Sequence, residues 1–140
     1  MSEMSVFLAG NVAMETTEEF VVSERFKDSE GRPVAWVLRS ITEEDNDAIR
    51  KSATKRSKSK GGQQVAEVDQ TDYLSKLAVA CVKFPNLKDA DLQKSYGVLG
   101  AETLIRKMLL AGEYANLLLK VQEINGFDKD MNDLVDEAKN

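Results

Sequence analysis

Glycines set the strongest constraint on how this chain can fold. Gly97, Gly100, Gly112 and Gly126 cut the stretch from Leu92 to Asp128 into short pieces, and the longer pieces carry apolar stripes at helical spacing. Ala101, Leu104, Ile105 and Met108 form one stripe, and Tyr114, Leu117, Leu118 and Val121 a second. Asp89 can cap a shorter piece, ADLQKSY, that Gly97 closes, and Gly126 suits the position just past a helix end. Met131, Leu134, Val135 and Ala138 give a last short helix one apolar face. Short helices with one apolar side each must stack on one another or on a sheet to bury it, which predicts a body of short helices.

Upstream, Leu74, Leu77, Ala78 and Cys81 follow the same template, and Val79, Ala80 and Val82 make that helix apolar on nearly all sides. It is therefore expected at the centre, running from Thr71 until Pro85 forces its end. Residues 18–41 read as a β-hairpin. EEFVVSERF and VAWVLRSI are rich in β-branched and aromatic residues, with DSEGRP as the turn and Gly31 at a positive φ. Val34, Trp36 and Leu38 share one face of the second strand. Thr42 caps a surface helix with Glu43, Glu44 and Asp45 in its first turn and Arg50 and Lys51 in its last. The expected class is α+β: an N-terminal β-hairpin joined to a mainly α-helical C-terminal body of short helices. At 140 residues the chain reads as a single domain, 1–140. The N-terminal VFLAG reads as a strand or a docking segment.

The inventory of reactive groups is sparse. The chain has no histidine, hence neither the commonest general base nor the commonest metal ligand. Cys81, the one cysteine, sits among Leu74, Leu77 and Ala78 and reads as a buried, inert thiol, and it leaves no internal disulfide to form. Asp89/Asp91 and Asp128/Asp130 lack the ligand density and central glycine of a calcium loop and read as caps and solvated faces. Gly97-Val-Leu-Gly100 has the outline of a nucleotide-gripping GxxG turn but carries no basic residue, so it reads as punctuation between helices. No catalytic, cofactor-binding or metal-binding residue is assigned, and no enzyme activity or cofactor is expected. No apolar run approaches the roughly 20 residues that cross a bilayer. The N-terminus also lacks a secretory signal pattern, so the expected location is cytoplasmic, with no membrane partner.

Net charge is −5, which argues against a nucleic-acid binder, yet the charge is uneven. Arg50, Lys51, Lys55, Arg56, Lys58 and Lys60 form an acid-free basic run, and the other 13 basic residues face 24 acidic ones, a net of −11. SATKRSKSKGGQQ has no large apolar residue and reads as a flexible basic linker at about 54–66. Two other readings stay open: an arm for phosphates, without interleaved aromatics for stacking, and an arm that docks on an acidic partner.

Apolar residues left over after the stripes are filled are candidates for a partner surface. Leu99 lies between two glycines, Leu110 at a helix end, and Leu119 off the stripe of its own helix. These three are the candidate partner-binding residues. The competing reading is that neighbouring helices cover them.

The run LQKSYGVLGAETLIRKMLLAGEYANLLLKVQEINGF resembles the C-terminal half of the XkdN-like phage tail assembly chaperones, a family named after a defective prophage element of Bacillus. FLAGN at Phe7–Asn11, SERFKDSEGRPVAW at Ser23–Trp36 and SITEEDNDAIRK at Ser40–Lys51 agree with it in the right order. The resemblance implies a non-catalytic accessory protein of a contractile-tailed phage or prophage. It would bind the aggregation-prone tape measure protein in the host cytoplasm, help recruit tail tube subunits, and be absent from the finished particle. The resemblance also implies relatives that make a longer, frameshifted product. The alternatives are a structural component of the tail, which would be found in particles, and a small nucleic-acid-binding regulator using the basic run.

Overall fold

The computed structural model describes residues 3–58 and 61–127. It has the expected α+β architecture, and its centre is a three-stranded antiparallel sheet in the order β1-β2-β5. β1 (Thr17–Phe20) pairs with β2 (Trp36–Arg39) in the register Thr17↔Arg39 to Phe20↔Trp36. The hairpin is shorter in its strands and longer in its connection than the sequence suggested. The turn sits where DSEGRP placed it: Asp28 Oδ1 accepts the Glu30 and Arg32 N–H groups, and Gly31 takes a φ of 81°. On β2, Trp36 and Leu38 point into the core and Val37 and Arg39 lie half-buried on the opposite face, the two-residue alternation of a strand.

α1 (Glu43–Ser52) starts as predicted, with the Asp45 N–H donating to Thr42 Oγ1 at 3.2 Å. Asn46 is its one buried residue, which fits a surface helix. The stretch read as a linker contains two paired strands, β3 (Thr54–Lys58) and β4 (Gln64–Val68), in the register Thr54↔Val68 to Lys58↔Gln64. Backbone hydrogen bonds hold this ribbon, and composition does not encode them. Gly62, at a φ of 80°, supplies the left-handed backbone its turn needs.

α2 (Gln70–Cys81) is capped by Asp69, whose carboxylate accepts the Asp72 N–H. It ends four residues before Pro85, and β5 (Val82–Phe84) then pairs with the free side of β2. The helical pattern therefore runs too far in the sequence reading. Val82 continues the apolar series, but an open sheet edge beside it offers its backbone better partners. VFLAG forms no strand: Glu3–Phe7 and Ala9–Asn11 are 3₁₀ turns with no buried residue.

α3 (Ala90–Ser95), α4 (Ala101–Met108) and α5 (Ala111–Ile124) follow the glycine punctuation. All four residues of the first stripe, Ala101, Leu104, Ile105 and Met108, are buried. In the second, Leu117 and Val121 are fully buried while Tyr114 and Leu118 pack at the edge of the core. A single cluster joins Trp36 and Leu38 of the sheet to Leu77 and Cys81 of α2, the α4 stripe, and Leu117 and Val121. Asn125, at the end of α5, locks helix to sheet by accepting the Ile41 N–H and donating to Val121 O and Cys81 Sγ. The last predicted helix, around Met131–Ala138, lies outside the described residues.

Candidate partner-binding surface

Leu99, Leu110 and Leu119 are all exposed, at 91%, 59% and 60% of their surface, so neighbouring helices do not cover them. Each is held out by a specific local device.

Leu99 occupies a loop closed by the Gln93 side chain. Gln93 Oε1 accepts the Gly100 N–H at 3.0 Å, and its Nε2 donates to Leu87 O at 2.9 Å. The Val98 N–H donates to Gln93 O. Gly97 and Gly100, at φ values of 68° and 105°, supply the reversals that place Val98 against the core and Leu99 in solvent.

Leu110 sits at the junction of α4 and α5. Its N–H donates to Glu113 Oε1 at 2.8 Å, the carboxylate half of a capping box. Glu113 is gripped in turn by Arg25, whose Nε lies 3.1 Å from Oε2 and whose Nη2 pairs with Oε1. Arg25 also donates to Met108 O at 2.9 Å and lies over the Phe26 ring. The Arg25 hydrogen bond, with help from Ser23 and the Leu110 N–H, holds the Glu113 carboxyl down at about 2. The backbone at Leu110 is thus fixed from both sides while its side chain faces outward.

Leu119 lies in α5 between Leu117 and Val121, on the side of the helix away from the core. It lines a shallow groove of about 450 Å³ with Phe20, Val21, Val22 and Asn116, rimmed by Lys120 and Glu123. Lys120 fixes the groove to the sheet by pairing with Glu18 at 2.7 Å and lying near the Phe20 ring.

Leu110 and Leu119 do not merge into one patch. Leu110, the N-cap of α5, and Leu119 within it are nine residues apart, about 13.5 Å along the axis and half a turn around it. Leu119 instead joins Val21, 45% exposed, which the sequence reading had assigned to the hairpin alone. The sequence reading also missed the extent of the N-terminal apolar surface. Met4, Val6, Phe7, Leu8, Val12 and Met14 are all exposed. The available signal was six apolar residues in a stretch with neither helical nor strand periodicity.

Cys81 is fully buried, and burial raises its thiol pKa. Among the described residues, no group of three or more histidine, cysteine or acidic side chains stands close enough to hold a metal, and no helix is long and apolar enough to cross a membrane.

Comparison with known proteins gives the family. The family model for the phage XkdN-like tail assembly chaperone proteins matches residues 4–139. The chain belongs to that family. It is 32% identical over 139 residues to the phage-like element PBSX protein XkdN of Bacillus subtilis (strain 168), covering 99% of this chain and 94% of that one. It is 35% identical to YqbN of the same organism, over 99% of this chain and 93% of the relative. The crystal structure of YqbN superposes with a TM-score of 0.77 at 29% identity, over 91% of this chain and 99% of that one. Membership of a tail assembly chaperone family implies interaction with phage tail proteins.

Proposed function

We propose that this chaperone binds the tape measure protein, keeps it out of aggregates, and helps recruit tail tube subunits around it, acting without catalysis in the host cytoplasm and leaving before the particle is complete. The observation that carries the reading is the set of large apolar side chains, Leu99, Leu110 and Leu119, held in solvent by hydrogen-bonded backbone in a member of this family. A long helical partner with apolar faces aggregates unless those faces are covered, and a shallow groove beside a helix that offers Phe20, Val21 and Leu119 suits such a face. Shielding needs no energy source, because binding alone draws the partner from its aggregating state.

The test is coexpression of the tape measure with the wild-type chaperone and with Leu99→Ser, Leu110→Ser and Leu119→Ser. The wild type should raise the soluble fraction of the tape measure, and the variants should fold normally yet lose part of that effect. A tape measure as insoluble with the wild type as without it rejects the chaperone role. Unchanged rescue by the triple variant moves the contact surface elsewhere, with the N-terminal apolar segment next to be tested. Recovery of the chain in purified particles would favour the structural-component reading.

A further inference from the structure

The β3–β4 ribbon stands apart from the rest of the molecule. Its two strands pair with each other, and neither packs broadly on any other element. Every strand residue except Thr54 and Val68, at its base, is exposed. A two-stranded ribbon in water is marginal on its own. Its register also sorts its charge. Lys55 stands opposite Glu67 and pairs with Asp69 at 2.8 Å, so that face is neutralised. The other face presents Arg56 and Lys58 opposite Ala66 and Gln64, with no acid in the register. Among the described residues, no acidic group lies within ion-pair reach of Arg56 or Lys58, although 24 acidic residues are available in the chain.

The molecule cannot easily answer this charge itself. Asp69 and Asp72, near the ribbon base, are taken by Lys55 and Lys76. Glu43, Glu44 and Asp45 lie at the far end of α1, a helix length of about 15 Å from where the ribbon springs. Outside the ribbon (54–68) the chain carries 15 basic and 23 acidic residues, a net of −8, so another copy of the same chain offers the complementary charge. The ribbon has no aromatic residue on which a base could stack, which favours an acidic protein surface over a nucleic acid.

We infer that the Arg56–Lys58 face of the ribbon docks on the acidic body of a second copy of this chain. The contact is head-to-tail: ribbon on one copy, body on the next, with each copy able to give and to receive. It is independent of tape measure binding and is measured on the purified full chain alone.

Sedimentation velocity should show concentration-dependent self-association in about 0.1 M salt, where body–body repulsion is screened beyond about 10 Å but contact pairs persist. In about 1 M salt, with screening near 3 Å, the association should disappear. Arg56→Glu with Lys58→Glu should weaken self-association by at least about tenfold. That variant keeps its acidic body, so when mixed with wild type it should still be bound by a wild-type ribbon and should shorten the assemblies. Circular dichroism on the variant checks that the body is folded. A wild type that is monomeric at every concentration and salt overturns the inference, as does a variant that associates as well as wild type. A monomeric wild type whose ribbon instead binds duplex DNA or RNA, with loss in the variant, replaces it with a nucleic-acid contact.

Discussion

Leu117 and Leu119 are two residues apart and have opposite fates: one is fully buried between α5 and the sheet, the other 60% exposed beside Val21. Leu117→Ala removes packed atoms and leaves a cavity, so it should cost about 2–5 kcal/mol in a urea titration. Leu119→Ala has no packed neighbourhood to lose and should fall within about 0.5 kcal/mol of wild type. Equal losses would mean that Leu119 is part of the core after all. Leu119 was legible in the sequence because it breaks the periodicity that Leu117 and Val121 keep. Val21 was not, because nothing in EEFVVSERF tells which valine a helix will leave uncovered. At Cys81, burial among Leu77, Ala78 and the Asn125 amide predicts slow thiol labelling of the native protein and a sharp rise on unfolding. Rapid native labelling would show that the site opens. Cys81→Ser should be destabilising, because the cavity around the thiol is apolar apart from that amide.

Among the elements, α4 was read almost completely from its stripe, and α1 and α3 from their caps at Thr42 and Asp89. β5 and the ribbon escaped because their strands are defined by pairing. Val82 looks like one more turn of helix until β2 leaves an edge beside it. Thr54–Lys58 looks like linker until Gln64–Val68 is set against it. The junction of α4 and α5 was invisible for a different reason: Arg25 is 88 residues from Glu113, and no local pattern links them. That ion pair makes a pH prediction with a definite sign. The folded state holds Glu113 at about 2 instead of 4.5, so its contribution is complete above the ordinary value and is lost as pH falls from about 4.5 towards 2. The stability gap between wild type and Glu113→Gln should therefore be widest near neutral pH and narrow steadily through that window. A gap that stays constant down to about pH 2 would assign the effect to shape and not to charge. For the ribbon, trypsin should cut first at Arg56 or Lys58, because a ribbon without a packed face opens more easily than any core helix.

At the scale of the whole molecule, the division of labour is between a core that closes and surfaces that do not. One cluster ties sheet, α2, α4 and α5 together, and the leucines of Gly97–Gly100, the α4–α5 junction and α5 stand outside it, the last two half a turn apart around α5. The N-terminal turns add Met4, Phe7 and Leu8, which contribute no buried residue to the fold. Exposed leucines on three separate stretches of chain suit a partner that wraps or a partner met more than once along its length. A single deep pocket would concentrate the binding energy in a few residues, as hot spots do. Substitutions should therefore behave differently from those at a hot spot. Leu99→Ser, Leu110→Ser and Leu119→Ser should each weaken tape measure rescue modestly, and the triple variant should lose about as much as the three single losses combined, since the sites share no contacts. Removing residues 1–14 should lower rescue further while leaving the melting transition nearly unchanged, because none of the segment's described residues is itself buried. The measurements are the soluble fraction of coexpressed tape measure and the thermal melt of the chaperone alone. If one leucine accounts for the whole effect, the surface is a focused site and the distributed arrangement is wrong. If deleting the segment lowers the melt sharply, the N-terminal turns belong to the fold and their apolar residues are not free for a partner.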